Sequence, residues 1–486
     1  MTADPDAQNG FLEFLLPLYG NVRHGSPLSL ATSALAVNLT FAWSVRGLDS
    51  ELASTLHGKA LTLTQAAIND PTQNTTDETL MTVLLLGTYD VLSRGSRSQR
   101  PSGLHKNGAL ALVKHRGALN FETEVSRRLL IAVRHQVIRT ALQKAEQIPS
   151  DPAVWQNSGS MPENPATRLD VFAAELANLK ALVESLKIPT PSPPSPLQLS
   201  TGARAVSPTS CAETVIKILR SALATALDLD ARLAEWPKHI PTFWHPTSVP
   251  SPSCIDPSIV AAGLYDTSCD IYPSIYVAGL WNWYRALRVA TIKIIVTCQR
   301  RLIHVNFQGD LRTTTEHPTE TVQTLVDEFC ASIPFHLGNR TSPTPPDKLE
   351  GVAYPHLPSK DVDGHFRYAT AMSRAEHMRA AACSGGWFLL DPIREIIQIT
   401  AADAPRYSGF GVETETERTV LLPLREGQRE WIFAQVQRIQ AIYVIRRSPS
   451  PRPATAMVNW ARFGSQKYPI RVAETKRWKH PSYANS

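Results

Sequence analysis

Cysteine is scarce and scattered. The 486-residue chain has six (Cys211, Cys254, Cys269, Cys298, Cys330 and Cys383), and no two lie within ten residues of each other. That excludes C-x-x-C redox and zinc motifs, whose thiols must share one ion or one bond. The opening residues MTADPDAQNG lack a basic stretch followed by an apolar one, so no secretory signal is legible. Widely spaced cysteines without such a signal read as reduced thiols in the core. Long hydrophobic runs are also missing. The longest uncharged stretch, Ser26 to Val45, carries Ser29, Thr32, Ser33, Asn38 and Thr40, polar groups that hydrocarbon would penalise. It reads as a core helix, and the chain as soluble with no membrane partner. Glycine motifs that cradle phosphate are absent: there is no G-x-x-x-x-G-K-[ST], no complete G-x-G-x-x-G and no G-x-S-x-G elbow. Gly409-Phe410-Gly411 has only half of a dinucleotide fingerprint.

Proline, by contrast, is abundant, with 37 residues that must collect in connections because proline breaks helix interiors. Between them the apolar residues recur at helical spacing. Ser26 before Pro27 is a helix start, followed by Leu28, Ala31, Leu35, Leu39 and Ala42 on one face. Further helices are expected from Asp49 to Ile68, over NTTDETLMTVLLLGTYDVL with Thr75 and Glu78 as a capping box, over GLHKNGALALVKHRG, and from Glu124 to Gln147. The pattern continues with helices at Ala166–Leu186, Ala212–Trp236, the long WNWYRALRVATIKIIVTCQRRLI segment, Thr319–Ser332 ending near Pro334, Ala369–Thr400 and Glu426–Arg446. No alternation of strands is visible. The fold class is all-α: an array of antiparallel helix pairs over residues 1–447, with proline-rich loops near 149–165, 189–205, 237–257 and 340–363.

WNWYRALRVATIKIIVTCQRRLI raises the question of a stacked ligand, a membrane span or a core helix. Leu287, Ala290, Ile294, Ile295 and Cys298 make one apolar face bounded by Arg285, Arg288, Lys293, Arg300 and Arg301. The apolar part is too short to span a bilayer, so it reads as core. No two of the 14 histidines are four residues apart, as a helical two-histidine metal site requires. His239, His245, His356 and His365 read as surface loop residues. The acidic pairs Asp327-Glu328, Asp361/Asp363 and Glu413/Glu415 have no matching context. His105, Lys106, Lys114, His115 and Arg116 would form a small basic patch, and an ordinary exposed helix face explains them equally well. No catalytic, cofactor-binding or metal-ligating residue follows, and no cofactor.

Residues 448–486 are the one unusual composition. From Arg446 onward nine Lys/Arg face only Glu474, so the tail accounts for more than the whole net charge of +6. Trp460, Phe463, Tyr468, Trp478 and Tyr483 are interleaved with them. Basic groups with aromatics suit phosphate contact and base stacking. Arg471, Lys476, Arg477 and Lys479 are the candidate nucleic-acid or nuclear-import residues, KRWKH being an import-like run.

The order of the segments resembles the helical regulatory domain of fungal-specific zinc-cluster (Zn2Cys6) transcription factors. SPLSLATSALAVNL is similar to its opening helix, DETLMTVLLLGTYDVL to its second signature and GLHKNGALALVKHRG to its histidine, glycine and "RG" helix. WNWYRALRV resembles a Trp-Asn-x-Tyr-Arg motif, DEFCASIPFHLG a Ser/Pro segment after an acidic helix, CSGGWFLLDPIREI a Gly-aromatic-Leu-Pro motif, and REWIFAQVQRIQAI the final Trp-Ile helix. Together these cover about residues 10–447.

The family's DNA-binding module needs C-x-x-C-x(6)-C and a similar second half, and this chain has neither. The resemblance therefore implies a nuclear transcriptional regulator, of the sort that serves a specialised-metabolite gene cluster. It would act through a protein partner, either a zinc-cluster transcription factor or a second copy of itself, reaching DNA indirectly or through the basic tail. An enzyme or small-ligand-binding protein on the same scaffold is the other class to test, and a coding sequence that has lost an upstream zinc-cluster exon is a third reading.

Overall fold

The computed structural model describes residues 11–43, 51–93, 104–117, 120–149, 155, 163–186, 208–249, 255–305, 318–356, 373–400 and 424–443. Their structure is almost entirely helical. In chain order the helices are α1 (Leu15–Tyr19), α2 (Pro27–Trp43), α3 (Glu51–Asn69), α4 (Asp77–Ser93), α5 (Leu104–Arg116), α6 (Glu124–Lys144), α7 (Pro165–Ser185) and α8 (Pro208–Glu235). There follow α9 (Pro257–Gly263), α10 (Ile275–His304), α11 (Pro318–Leu337), α12 (Arg374–Ala380), α13 (Trp387–Thr400) and α14 (Gln428–Ile442). No helix among the described residues is long and apolar enough to cross a membrane.

The helix starts follow local chemistry. Ser26 Oγ accepts from the Ser29 amide at 3.2 Å, directly before Pro27. Reciprocal capping boxes open α6 (Thr123 with Ser126), α7 (Asn164 with Thr167, then Pro165 in the first position) and α12 (Ser373 with Glu376). Ser274 caps α10 through the Val277 amide. For α4 the cap differs from the expected Thr75–Glu78 box. Thr76 Oγ1 accepts from the Thr79 amide at 3.2 Å, one residue farther on, and donates its hydroxyl proton toward Thr79 Oγ1 at 3.1 Å.

Two apolar cores result. The smaller joins α2, α3, α4, α5 and the first half of α6, through Leu28, Ala60, Leu84, Leu85, Val113, Leu129 and Leu130. The larger gathers α7, α8, α10, α11, α13 and α14 with the second half of α6, through Leu169, Leu229, Leu287, Phe329, Ile396 and Ile439. Helix α6 thus serves both: Leu129 and Val133 face one core, Ile138 and Leu142 the other. Polar contacts brace it on each side. Lys106 of α5 donates to Thr140 at 2.8 Å, His135 meets Asp170 of α7 at 2.7 Å, and Arg139 and Gln143 both bond Asp391 of α13.

The 30-residue α10 runs through the larger core and is buried on nearly every side. Trp281 donates its indole N–H to the Trp244 carbonyl at 2.9 Å and meets the Trp236 ring edge-on, while Trp236 stacks on Tyr284. These aromatics are packed core, as the segment's pattern suggests.

Several expectations change. Helix α11 does not stop before Pro334 but continues through it to Leu337. A single proline removes one ladder bond, and burial of Phe335 and Leu337 carries the last turn. The helix expected from Ala369 to Thr400 is two helices joined by a π-helical turn, Ala381–Gly385. In the loop expected near 237–257 the chain forms 3₁₀ turns at Trp236–His239 and Thr242–Trp244 and then the start of α9. Within it, β1 (Thr247–Ser248) pairs antiparallel with β2 (Asp270–Ile271). Another 3₁₀ turn, Pro346–Gly351, lies in the loop near 340–363. Cys269, Cys298 and Cys330 are buried as expected, but Cys383 is exposed on the π-turn. Cys254 and the side chain of Cys211 lie outside the described residues, as do the loop at 189–205, the tail 448–486 and its Arg471, Lys476, Arg477 and Lys479.

Candidate functional site

Three of the segments that carry the family resemblance, far apart in the chain, meet in one buried polar network. From α10 come Asn282 and Arg285, from α11 Glu328, Ser332 and His336, and from the π-turn the Gly385 carbonyl. Asn282, Arg285, Ser332 and His336 have no exposed surface at all. Burial at that level requires partners, since an unpaired polar group in a core costs on the order of 1–3 kcal/mol.

The partners can be followed atom by atom. The Asn282 amide nitrogen donates to Ser332 Oγ and to His336 Nε2, each at 3.0 Å. Its carbonyl oxygen accepts from Arg285 Nη1 at 2.9 Å. Ser332 also donates to the Phe329 carbonyl at 2.7 Å, its local helix partner. His336 Nδ1 donates to the Gly385 carbonyl at 3.0 Å, so Nε2 keeps its lone pair for the Asn282 amide. Arg285 is held further by the Tyr272 hydroxyl at 3.0 Å and by Glu328 at 3.2 Å, and lies over the Trp281 ring at 5.4 Å.

Electrostatics agree with this tautomer. Burial pulls the His336 pKa down to about 3, against the opposing pull of the Gly385 carbonyl, so the imidazole is neutral. Burial raises the Tyr272 phenol above its ordinary range, which keeps it a neutral hydroxyl beside Arg285. A neighbouring ring, His377 of α12, packs on Phe335 with centroids 4.1 Å apart and is likewise lowered to about 3 by burial.

Close approach depends on Gly385. A Cβ there would run into the His336 backbone carbonyl, so no side chain fits. The next residue, Gly386, donates its amide to the Tyr443 hydroxyl at 3.0 Å, and that hydroxyl donates to the Ala381 carbonyl at 3.1 Å. Tyr443 directly follows α14, so the last helix is tied to the same turn. Asp327 adds a second tie: it accepts from Gln428 of α14 at 2.8 Å, from Gln323 at 2.7 Å and from Arg425 at 2.7 Å.

The pair Asp327-Glu328 therefore has a context that neighbouring sequence does not display: one acid holds α14, the other Arg285. Of the basic residues on α5, His105 pairs with Asp90 and Arg116 with Asp77, while Lys114 and His115 are exposed. His239 is exposed, His245 lies edge-on to Trp281 at 5.6 Å, and His356 is partly buried near His377 rather than a surface loop residue. His365, Asp361/Asp363, Glu413/Glu415 and Gly409-Phe410-Gly411 lie outside the described residues. An open pocket at the start of α7, lined by Glu163, Asn164, Arg168, Trp236 and His239, includes none of the network.

Chemically, the network's groups are engaged with one another except for the buried Arg285 Nη2: a neutral imidazole with both nitrogens bonded, an amide between three partners, an arginine held through Nε and Nη1 by carboxylate, phenol and amide. Such an arrangement sets the spacing and register of α10, α11, the π-turn and α14. Sequence could place Asn282, Arg285 and Ser332 on helices, whereas His336 lies past the helix end expected near Pro334. Sequence could not show Tyr272 or Gly385 as their partners, because those contacts join residues 13 and 49 positions apart.

Comparison with known proteins bears on the other end of the chain. Residues 1–142, which span α1 to almost the end of α6, match the fungal specific transcription factor domain. A curated protein from Emericella nidulans, transcription factor dbaG, is similar at 38% identity over 119 residues, covering 23% of this chain. The chain thus spans about a quarter of the length of the curated relative it matches. No solved structure matches.

Proposed function

We propose that this chain is a non-enzymatic transcriptional regulator of a fungal nucleus that acts on a specialised-metabolite gene cluster through a DNA-bound protein partner. The observation that carries this reading is the match of residues 1–142 to the fungal specific transcription factor domain. The similarity to transcription factor dbaG points the same way. The helical unit extends, in this reading, over residues 1–447, with the polar network holding its second half in register.

The partner is proposed from the cysteine spacing within residues 1–486. Nothing in residues 1–486 has the spacing of a binuclear zinc cluster. Specific contact of this chain with a promoter then goes through a protein that carries one, or through a second copy bound to such a protein. Nonspecific attraction comes from the basic residues after Arg446, whose charge favours phosphate.

The test is genetic and biochemical together. Deleting the gene should change transcript levels of a set of neighbouring biosynthetic genes, and a tagged copy should recover a zinc-cluster factor from nuclear extract. Unchanged transcripts across the genome would remove the regulatory reading. Changed transcripts with no recovered factor would leave regulation and remove the partner.

A further inference from the structure

Outside the polar network, His57 of α3, Asp90 of α4 and His105 of α5 converge on one point of the smaller core's rim. His105 Nε2 lies 3.2 Å from one Asp90 oxygen and His57 Nε2 lies 3.5 Å from the other. One ligand atom from each residue falls within 4.8 Å of the other two. We propose that these three side chains form a binding site for a borderline divalent transition-metal ion, zinc foremost, that pins α3 to the α4–α5 pair.

The geometry suits the ion. Zinc binds imidazole nitrogen and carboxylate oxygen at about 2.0–2.2 Å in a tetrahedral array, which places neighbouring donor atoms roughly 3.3–3.5 Å apart. The separations of 3.2 and 3.5 Å, one to each Asp90 oxygen, are close to that spacing, so side-chain rotations that bring one carboxylate oxygen and the two imidazoles together would seat an ion. Two imidazoles and one carboxylate select zinc, cobalt, nickel or copper over magnesium and calcium, which prefer all-oxygen shells.

The surroundings position the donors. The His57 ring stacks on Tyr89 with centroids 4.2 Å apart and planes within 15°, which sets its orientation. Gly87, one turn before Asp90 on α4, is the point where α5 comes close: a Cβ there would stand 3.2 Å from the Cβ of His105. The side chains are 15%, 36% and 20% exposed for His57, Asp90 and His105, so an ion can enter from solvent and complete its shell with water.

The competing arrangement uses the same atoms without an ion, with Asp90 bridging two imidazole N–H groups. The two differ in proton content, since a metal needs both Nε2 atoms unprotonated. The motif is invisible in sequence because the donors come from three helices, none with a His-x-x-x-His pair.

Titration of the purified, metal-stripped full chain with cobalt(II) tests the proposal. The expected result is a saturable visible absorption of tetrahedral or five-coordinate type, one ion per chain, without a thiolate charge-transfer band. Zinc should displace the cobalt and raise the thermal midpoint. His57→Gln and His105→Gln should each abolish the stoichiometric band, while His239→Gln, an exposed control, should leave it intact. Should either site variant fail to fold, diethyl pyrocarbonate labelling of the unaltered chain gives the same answer, with zinc protecting His57 and His105 together. An absence of any saturable band, a band unchanged in both site variants, or no protection of these two histidines by zinc would each overturn the assignment.

Discussion

Asn282 of α10 donates its amide to the Nε2 of His336 on α11 at 3.0 Å, in a core where neither residue touches solvent. The same amide group bonds Ser332 and Arg285, so one side chain keys three others. Asn282→Ala leaves the His336 lone pair and the Arg285 Nη1 proton without this partner. The expected loss is about 2–4 kcal/mol, since two buried polar groups are orphaned and a small cavity opens. Urea unfolding followed by tryptophan fluorescence reads it directly.

The two buried histidines give the protein an acid sensitivity of defined sign. His336 and His377 are held at about 3 in the fold by burial, against an ordinary 6.5 in the unfolded chain. Below 6.5 the unfolded chain binds protons that the fold does not, so stability falls as pH drops from 6.5 toward 3. Each group contributes a slope approaching 1.4 kcal/mol per pH unit, to order of magnitude. Urea midpoints at pH 7 and pH 5, where most carboxylates keep their charge, should drop markedly. His336→Gln should make that drop smaller while lowering stability at pH 7.

Glycine positions separate close approach from mere chain flexibility. Gly385→Ala drives a methyl into the His336 carbonyl, so the π-turn must move and the network with it. A loss of at least about 3 kcal/mol is expected, at the severe end for one substitution. Gly58, in the exposed part of α3, has nothing within reach of an added methyl. Gly58→Ala should stabilise by about 0.5–1 kcal/mol, since alanine loses less entropy in a helix. Thermal unfolding of the two variants beside the parent checks both.

These results show which parts of the fold the sequence made legible. Helical periodicity and caps such as Ser26 placed nearly every long helix within a few residues, because those signals are local. Pro334 misled because burial of Phe335 and Leu337 outweighs one missing ladder bond. The π-turn at Ala381–Gly385 exists to admit the His336 backbone and the Tyr443 hydroxyl, both distant in sequence. The polar network was half legible: its residues lie in recognisable motifs, but the pairings among them are tertiary. Asp327 and Glu328 looked unremarkable for the same reason.

Cysteine chemistry offers a simple probe of the packing. Burial raises all four described free thiols, pushing Cys269 and Cys298 up to about 12, but only Cys383 is exposed to reagent. Iodoacetamide on the native protein should modify Cys383 ahead of the other three, which should react only after denaturant is added. Peptide mass mapping at timed intervals checks the order.

For the tail, replacing Arg471, Lys476, Arg477 and Lys479 with glutamine should lower nuclear accumulation of a fluorescent fusion. Equal nuclear and cytoplasmic signal before and after replacement would assign import to another segment.

The central claim is regulation of promoters through a partner, and chromatin immunoprecipitation of the tagged chain, with the partner gene present or deleted, tests it most directly. The account predicts enrichment at promoters of a biosynthetic gene cluster that disappears when the zinc-cluster partner is removed. Enrichment that persists without any such partner, or no promoter enrichment in the parent strain, would contradict it.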